Sequence, residues 1–518
     1  MLWCRKTLII GSVGLGILGL TGGPRAARAE AKAVAIPAGI AQLFVDDYLI
    51  ESQTGLKRTL RQPKKDHGGS LPILAPAGLQ TLMASGTIVF DPRLKKHVMF
   101  ALAFFQPPNG RYQVDMYRFT SPDAMTWTAG DDGKLERIDF DLVDAASGRK
   151  ATNIDLFSCY YDTTDAKHPY KGWLYFANWG DDLEGIYYVR SADGRAWERV
   201  RQVVNAWAGG DDPSCRTIRQ DGRILKGPGD VTLFYHDEIG DRFLGIFKFY
   251  SAEGGVGLKN DLRSRAYAFF DRLDEPFDTQ RIDRIALLPP AADAHGDKPH
   301  DEYYASSAWR YESLWLGGLK VWHGGGDYPY SAAGCAFLKL VVSRDGLTWK
   351  KVPFANDDGI PEVFIPNGKE GGNDGRNDGG YMTEFSQGPL RIGDELIYYY
   401  ASSSWGKNAP RPKRISGGGL FRARLRPDGF VSVDAGTLTT RPLSFEGNDL
   451  FVNGIGPIRV CVVDEDGTVL AAAAISGDSL RHKVAFDGRS LRGVAAKGVA
   501  RLRFAVTDPG RLYSFTIR

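Results

Sequence analysis

Four acidic residues recur near the same point of a repeated sequence pattern. They are Asp155, Asp230, Glu302 and Glu384. Two neighbouring carboxyl groups can perform general acid/base catalysis, because a protonated one donates a proton while an ionised one activates water. A third acid nearby keeps the donor protonated through like-charge repulsion. These four residues are the candidate catalytic groups, although any one of them could instead cap a turn or bind a structural cation.

The repeated pattern has five copies, each with a short first strand followed by strands rich in β-branched and aromatic residues. The copies begin at Ala84, Asn153, Gly229, Asp301 and Gly380. Successive starts are 69 to 79 residues apart, which suits four antiparallel strands with one or two long loops. The sequence therefore predicts an all-β fold whose main domain is a five-bladed β-propeller. In that fold the first strand of each unit lines one central channel, where the acids of several units converge.

A Ser-x-Asp-Gly-x-x-Trp hairpin marks three of the units. It occurs at Ser191–Trp197 and Ser343–Trp349, with a degenerate copy at Ser121–Trp127. The Asp caps the turn through its own side chain, the Gly supplies a positive φ, and the Trp packs back between the sheets. The motif resembles the Asp-box of sialidases and many other propellers. It predicts the fold, and we do not interpret it as a catalytic site.

The amino-terminal residues have the layout of a cleaved secretory signal. Residues 1–29 contain Arg5-Lys6, an apolar run from Leu8 to Leu20, and Ala27-Arg28-Ala29 before the expected cleavage point. The apolar run is shorter than the roughly 20 residues that a membrane-spanning helix needs. We therefore expect a periplasmic or secreted protein with no membrane association after cleavage.

The mature chain is expected to contain two domains. Residues 30–436 are assigned to the propeller, and the segment 30–80, which includes Gln42–Ile50, is expected to supply the outer strand that closes the ring. After residue 436 the pattern changes to short alternating strands. Residues 437–518 are therefore predicted to form a β-sandwich packed on the propeller.

Composition and charge exclude several functional classes. Lys and Arg number 65 and Asp and Glu 62, and loss of residues 1–29 changes the formal net charge from +3 to −1. This near-neutral balance gives no electrostatic case for nucleic acid or an anionic membrane as partner. Neither a phosphate-binding Gly-rich loop nor a nucleophile elbow nor a short His-x-x-x-His zinc spacing is present, so no cofactor or catalytic metal is predicted. A structural Ca²⁺ bound by channel carboxylates is compatible with the sequence. Nothing indicates an oligomeric state.

At this point the chain resembles bacterial secreted five-bladed propeller proteins similar to glycoside hydrolase families 43 and 32. The residues that carry the resemblance are Leu43–Glu51, Ser343–Trp349, Arg424–Ser432, Gly436–Leu443 and Gly477–His482. The resemblance covers most of the mature chain and is specific for fold and domain order. Two departures concern family 32, whose Asn-Asp-Pro-Asn-Gly opening and Glu-Cys acid motif are both missing from this sequence. Hydrolysis of sucrose or fructans is therefore not favoured.

The resemblance implies a function and assigns roles. It implies a glycoside hydrolase that cleaves a polysaccharide or a derived oligosaccharide, with inverting chemistry preferred by analogy with family 43. By the same analogy Glu302 is the general acid, and Asp155 or Asp230 serve as base and as modulator of the acid. Two alternatives remain open: a non-catalytic carbohydrate-binding propeller, and a polysaccharide lyase, which would need a Lys, Tyr or His base and cations that neutralise a uronate.

Sugar recognition combines flat aromatic faces with a few polar groups. The candidate substrate-binding residues, which fall at strand ends or in adjoining loops, are Asp212, Trp179, Trp309, Trp322, His323 and Trp405. Each aromatic residue could instead pack between blades, and Asp212 could belong to a plain turn. The sugar and the linkage are not specified by the sequence.

Overall fold

The computed structural model describes residues 32–76, 80–83, 88–105, 113–130, 132–140, 154–176, 184–204, 215–251, 263–276, 278–289, 301–323, 334–381, 387–406 and 418–518. The predicted signal peptide, 1–29, lies outside these residues. In the described ranges no helix is both long enough and apolar enough to cross a membrane.

Nearly all regular structure consists of β-strands, grouped into five successive sheets and one further large sheet. The amino-terminal strands are β1 (Val34–Ile36), β2 (Gln42–Leu43), β3 (Ile50–Leu60) and β4 (Lys64–Lys65). Blade one contains β5 (Gln80–Met83), β6 (Ile88–Asp91), β7 (Lys96–Phe105), β8 (Gln113–Ser121), β9 (Thr128–Ala129) and β10 (Glu136–Arg137). Blade two contains β11 (Asp139–Phe140), β12 (Ile154–Tyr161), β13 (Tyr170–Phe176), β14 (Gly185–Ser191) and β15 (Ala196–Val204).

The next three sheets repeat this arrangement. Blade three contains β16 (Arg216–Gln220), β17 (Arg223–Gly227), β18 (Leu233–Asp237), β19 (Arg242–Ser251) and β20 (Arg263–Phe270). Blade four contains β21 (Asp301–Ser306), β22 (Trp309–Tyr311), β23 (Leu314–His323), β24 (Cys335–Ser343), β25 (Trp349–Lys351) and β26 (Val363–Ile365). Blade five contains β27 (Leu390–Ile392), β28 (Glu395–Ser402), β29 (Gly419–Leu425) and, from the amino terminus, β4. The prediction of an all-β, five-bladed propeller is confirmed.

In the described residues, one strand from each of blades one to four lies next to the central channel. We call β6, β12, β18 and β21–β22 the inner strands. β12 contacts both β6 and β18, and Phe234 N of β18 donates a 3.0 Å hydrogen bond to Ser158 Oγ of β12. Each inner strand pairs antiparallel with the next strand of its own blade. All inner strands therefore begin at one end of the channel and finish at the other.

The ring is closed by β4, which pairs antiparallel with β29 in blade five. A buried ion pair between Lys65 of β4 and Asp378 secures this contact, and Tyr400 Oη donates a 2.9 Å hydrogen bond to the same carboxylate. The next residue, Asp66, accepts hydrogen bonds from Arg422 and Arg424 at 2.5 and 2.7 Å. Closure thus joins the first and last parts of the propeller through charged side chains.

The remaining part of the amino-terminal segment does not close the ring. β2 pairs with β37 and β3 pairs along much of its length with β30, both in the large sheet. Within residues 30–80, the expected closing role therefore belongs to Lys64–Lys65 and not to Gln42–Ile50. An alternating strand pattern specifies a half-buried strand but not its partner, which explains the difference.

The large sheet forms a second β-domain with its own apolar core. Its carboxy-terminal strands are β30 (Val431–Thr440), β31 (Leu443–Phe445), β32 (Leu450–Ile455), β33 (Ile458–Val463), β34 (Val469–Ile475), β35 (Asp478–Val484), β36 (Val499–Val506) and β37 (Arg511–Ile517), with one short helix, α1 (Leu491–Val494). Its buried residues form a cluster apart from the propeller clusters, with Phe44 among Phe504 and Phe515. This arrangement is compatible with the predicted β-sandwich.

The Asp-box hairpins have the structural role that the sequence predicts. In blade four, Asp345 Oδ1 accepts hydrogen bonds from the amides of Leu347 and Thr348 at 2.8 and 2.6 Å. Gly346 adopts φ +79°, and Trp349 Nε1 donates a 2.7 Å hydrogen bond to its carbonyl. The Trp349 ring then stacks on Tyr267 of blade three, so the hairpin joins neighbouring blades.

Candidate active site at the start of the inner strands

The inner strands are irregular close to their first residues. The pairing of β12 with β13 shifts by one residue between Asp155 and Phe157, and that of β21 with β23 shifts between Tyr303 and Ala305. Such β-bulges change the direction of nearby side chains and are frequent beside active sites. Counted from the bulge, Glu302 corresponds to Ile154 and not to Asp155. The two acids therefore differ by one position in strand register.

Glu302 lies at the start of β21 and is almost fully buried. Its Oε2 accepts a hydrogen bond from Arg263 Nη1, and the Arg263 backbone amide lies 3.3 Å from the same oxygen. Arg263 is the first residue of β20 in blade three. The ion pair therefore joins blades three and four at the channel.

Asp230 precedes the inner strand of blade three and is partly exposed. Its Oδ1 accepts a hydrogen bond from the Val231 amide at 2.9 Å and another from Lys248 Nζ. The Asp230 side chain is 33% exposed, whereas that of Lys248 is 11% exposed. A solvent-accessible carboxylate is thus held in place by a mostly buried cation.

Arg263 couples these two acids electrostatically. Burial opposes the charged guanidinium, but the charges of Glu302 and Asp230, the hydrogen bond with Glu302 and the interaction with Tyr304 outweigh it. The pKa of Arg263 is therefore raised above its ordinary value. The charge of Asp230 is the smallest of these contributions. The direct contacts are the ion pair of Glu302 with Arg263 and that of Asp230 with Lys248.

Aromatic rings and a further cation complete the group. Arg263 lies over the rings of Tyr304 and Trp322, at 4.7 and 5.7 Å from their centroids. Lys320 Nζ lies 3.7 Å from the ring centroid of Tyr381 and 4.6 Å from that of Tyr304. Such contacts stabilise cations on ring faces. We call the whole set the channel cluster: Asp230, Lys248, Arg263, Glu302, Tyr304, Lys320, Trp322 and Tyr381.

Trp322 is well placed for a ligand-binding role. It is opposite Glu302 in the pairing of β21 with β23, and its ring is half-buried. Its ring centroid is 5.8 Å from that of Tyr304, which is nearly perpendicular to it. The predicted binding residue Trp322 and the predicted catalytic residue Glu302 therefore belong to one cluster.

The other predicted aromatic residues have different positions. Trp309 is 3% exposed and packs in an apolar cluster, 6.1 Å from the Tyr398 ring. Its position does not support the expected contact with a ligand, because neither ring face is accessible. Trp405 is half-buried, and its ring lies directly against Gly371 in the loop before blade five.

The side-chain positions of five predicted site residues are outside the described part of the structure. Asp155 and His323 belong to β12 and β23, but only their backbone is described. Asp212, Trp179 and Glu384 lie outside the described residues. Their roles stay predictions. Within the described ranges, no three His, Cys, Asp or Glu side chains are grouped as metal ligands.

The sequence analysis did not identify the cations of the channel cluster. Acids and aromatic residues at repeat starts do not indicate Arg263, Lys248 or Lys320. A usable signal is that Lys248 and Lys320 each lie within an apolar run, where a charged residue is unusual unless it is paired. The cluster can thus supply carboxylates, charge-stabilising cations and aromatic surfaces together.

No family model and no curated protein match this chain. Among solved structures, the chain is similar to one described as a glycoside hydrolase (10% identity, TM-score 0.42, covering 70% of this chain and 92% of the other). A second is described as a glycoside hydrolase of family 130 that targets β-1,2 mannosidic linkages in Candida mannan. It has 12% identity and a TM-score of 0.41, and the match covers 71% of this chain and 95% of the other. A third is a family 43 arabinoxylan arabinofuranohydrolase from Bacillus subtilis. It has 13% identity and a TM-score of 0.37, and the match covers 88% of this chain and 99% of the other.

These descriptions include family 43, one of the two families that the sequence resembles. At such low identities and TM-scores the likenesses carry no argument about the reaction or the site residues. The five blades are established by the strand pairing of this chain itself.

Proposed function

We propose that the protein is a secreted glycoside hydrolase that cleaves a polysaccharide or a derived oligosaccharide at the channel cluster. The observation that carries the proposal is that adjacent blades supply two carboxylates at the starts of their inner segments, each paired with a cation: Asp230 with Lys248 and Glu302 with Arg263. Glycoside hydrolases usually cleave a glycosidic bond with two carboxyl groups, one on each side of the bond. We favour an inverting reaction, in which one acid protonates the leaving oxygen and the other activates water.

The charged groups around Glu302 affect whether it can serve as the general acid or as the base. Glu302 accepts a hydrogen bond from a guanidinium, an arrangement that suits an ionised carboxylate. The resemblance to family 43 makes Glu302 the general acid, which has to carry a proton when substrate binds. Glu302 can act in this way if Arg263 turns from Oε2 towards the substrate. If Arg263 stays in place, Glu302 instead suits the role of base.

Substrate would contact the aromatic part of the cluster. The half-buried ring of Trp322 beside Glu302 offers a flat apolar surface of the kind that binds the C–H face of a sugar ring. Asp230, which is partly exposed, offers oxygen atoms to a hydroxyl group or to the attacking water. Secretion is part of the proposal and is supported by the signal-like residues 1–29.

The test is product release from a panel of polysaccharides and aryl glycosides, measured as reducing ends. Glu302→Gln and Asp230→Asn are expected to lower kcat by at least about a hundredfold, as loss of an acid or base does. The chain offers a close control for the second variant, since the Asp165–Lys171 ion pair has almost the same exposure as Asp230–Lys248. Asp165→Asn is expected to leave activity unchanged.

Glu302→Gln also has a control in the same blade. Glu362 is as buried as Glu302 and is paired with Lys339 and Lys351, away from the channel cluster. Glu362→Gln should lower stability but not kcat. Equal activity losses in Glu362→Gln and Glu302→Gln would contradict the proposal, as would saccharide binding without any product release. The latter result would favour the carbohydrate-binding propeller.

One observation favours polysaccharide lyase as the second candidate. Lys320 lies against two tyrosine rings and Arg263 is close by, so the cluster contains both a base type and cations suited to a uronate. A lyase abstracts the proton next to the carboxylate and leaves an unsaturated product that absorbs in the ultraviolet. If pectin or alginate gives a product with this absorbance and neutral polysaccharides give none, the reaction is elimination and not hydrolysis.

A further inference from the structure

A cavity lies at the far end of the channel, where the inner strands finish. Its volume is about 600 Å³, within the usual range for small-molecule sites. Every blade contributes to its lining, with Phe90, Tyr160, Asp237, Arg310 and Gln387 from blades one to five respectively. Residues of all five blades meet only around the propeller axis. We call this space the far-end cavity.

The far-end cavity is separate from the channel cluster. Asp230 lies at one end of the inner segment of blade three and Asp237 at the other, seven residues later. The strand β18 (Leu233–Asp237) lies between them, and an extended strand rises roughly 3.3 Å per residue. A ligand in the far-end cavity would therefore occupy a different site from a substrate at Glu302.

A buried charged pair forms the polar side of the cavity. The Asp237 side chain is fully buried, and its Oδ1 lies 3.4 Å from Arg310 Nε. On the other side Arg242 Nε lies 3.4 Å from Oδ2. Within the described ranges, Asp237 Oδ1 accepts no hydrogen bond and the Arg310 side chain donates none. A buried carboxylate normally has such partners. The Arg310 side chain is 27% exposed, so its outer nitrogens, and not the buried Asp237 oxygens, are the polar groups that reach the cavity.

Aromatic and apolar side chains form the other walls. The rings of Tyr160 and His236 are 4.4 Å apart between centroids, and both line the cavity. At the mouth, Phe90 is 49% exposed and Ile239 is 77% exposed. Large apolar side chains that are this exposed beside a cavity mark a surface for a ligand.

We propose that the far-end cavity binds a neutral saccharide unit without cleaving it. Two acids, Asp237 and Glu238, are balanced by Arg310 in the lining and by Arg242, which is paired with Asp237, so the site suits neither a strongly anionic nor a strongly cationic ligand. Hydroxyl groups of a pyranose can donate to the exposed carboxylate of Glu238 and accept from Arg310, which Asp237 holds from below, while its C–H face packs on the aromatic wall. The inference shares its ligand class with the proposed function but neither its site nor its chemistry.

The experiment is saturation-transfer NMR on the whole mature protein. The probes are the methyl pyranosides of glucose, galactose, mannose, xylose and arabinose at millimolar concentration. Two variants test the cavity: Asp237→Asn removes the buried charge, and Thr163→Trp, at an exposed lining position, fills the mouth without disturbing the core. Leu94→Ala, an exposed apolar residue on the next turn that does not line the cavity, is the control.

We expect at least one methyl pyranoside to bind, with affinity about fivefold or more weaker in both cavity variants. Binding should be unchanged in Leu94→Ala and in Glu302→Gln. Absence of saturation transfer from the whole panel would overturn the inference, and so would binding that is lost in Glu302→Gln but retained in Thr163→Trp. Failure of hydrolysis with binding retained at the far end would refute the proposed function alone.

Discussion

Arg263 of blade three and Glu302 of blade four form an ion pair across the boundary between two blades, at the end of the channel where the inner strands begin. The same guanidinium is influenced by Asp230 and lies over Tyr304 and Trp322. The ion pair with Arg263 stabilises the ionised form of Glu302.

Replacing Arg263 with Met should therefore change the pH profile of the proposed reaction. Without the guanidinium, protonation of Glu302 becomes easier, so the limb of the kcat/KM profile that reports Glu302 moves to higher pH by about one unit or more. If Glu302 is the general acid, the alkaline limb moves; if it is the base, the acidic limb moves. The measurement is kcat/KM against pH for both proteins.

The control for this variant is Arg190→Met. Arg190 is paired with Glu198 on the outer strands of blade two. The Arg190→Met substitution therefore removes the same charge at a distance from the channel. Its pH profile should match that of the unchanged protein. A profile that stays in place in Arg263→Met as well would show that Glu302 does not take part in proton transfer.

Trp322 and Trp309 should differ in what their removal affects. Trp322→Ala removes a half-buried ring beside Glu302, and KM is expected to rise about tenfold because a sugar loses its stacking surface. Trp309→Ala removes a core ring and should cost about 3–5 kcal/mol of unfolding free energy. Steady-state kinetics and urea unfolding of both variants test the contrast.

The opposite pattern would assign the roles differently. An unchanged KM in Trp322→Ala would remove Trp322 from the binding surface. A raised KM in Trp309→Ala, measured under conditions where that variant is fully folded, would mean that the Trp309 ring reaches substrate after all.

The repeated pattern was sufficient to predict the blades because each blade is local in sequence. Antiparallel strands such as β14 and β15 are joined by a short turn, and the Asp-box places Trp349 through hydrogen bonds within a few residues. The pairing of β3 with β30 could not be predicted in this way. Its partners are distant in the chain, and strand alternation contains no information about which edge a strand joins.

The candidate site was predicted in part for the same reason. Glu302 and Trp322 were found because repeat starts and aromatic residues are visible in the sequence. Arg263 is 39 residues before Glu302, and their contact depends on the packing of one blade against the next. Burial likewise separates Trp309 from Trp322 although the two look equivalent as strand-end tryptophans.

The Asp345 turn should make stability depend on pH in acid. Burial of Asp345 opposes its charge, but hydrogen bonds from Thr348 and Leu347 outweigh this and lower its pKa to about 2. The unfolded chain has the ordinary value, so the ionised turn stabilises the fold above about pH 4 and this contribution is lost as the pH falls towards 2.

Asp345→Asn should therefore lower the unfolding free energy by about 1 kcal/mol at neutral pH. The effect is expected to be this small because the Asp345 side chain is largely exposed. The difference from the unchanged protein should shrink as the pH is lowered from 4 towards 2, measured by urea unfolding at each pH. A difference that stays constant over that range would show that the charge of Asp345 does not stabilise the turn.

Ring closure offers the largest predicted effect on stability. Asp378 is fully buried and interacts with Lys65, which is itself mostly buried on the closing strand β4. Removing one partner leaves the other as a buried charge without its counter-ion, which typically costs about 3–5 kcal/mol. Lys65→Met and Asp378→Asn should each lower the unfolding free energy by about that amount. Lys64→Met, on the exposed neighbouring residue of the same strand, should change it by less than about 0.5 kcal/mol.

The double variant Lys65→Met/Asp378→Asn separates charge from packing. Because it leaves neither ionic partner alone in the interior, its loss should be clearly smaller than the sum of the two single losses, giving a favourable coupling between the residues. Urea unfolding of the four proteins measures this coupling. Strictly additive losses would mean that the two side chains stabilise the closure independently. In that case the antiparallel pairing of β4 with β29 and the contacts of Asp66 with Arg422 and Arg424 would have to hold the ring together.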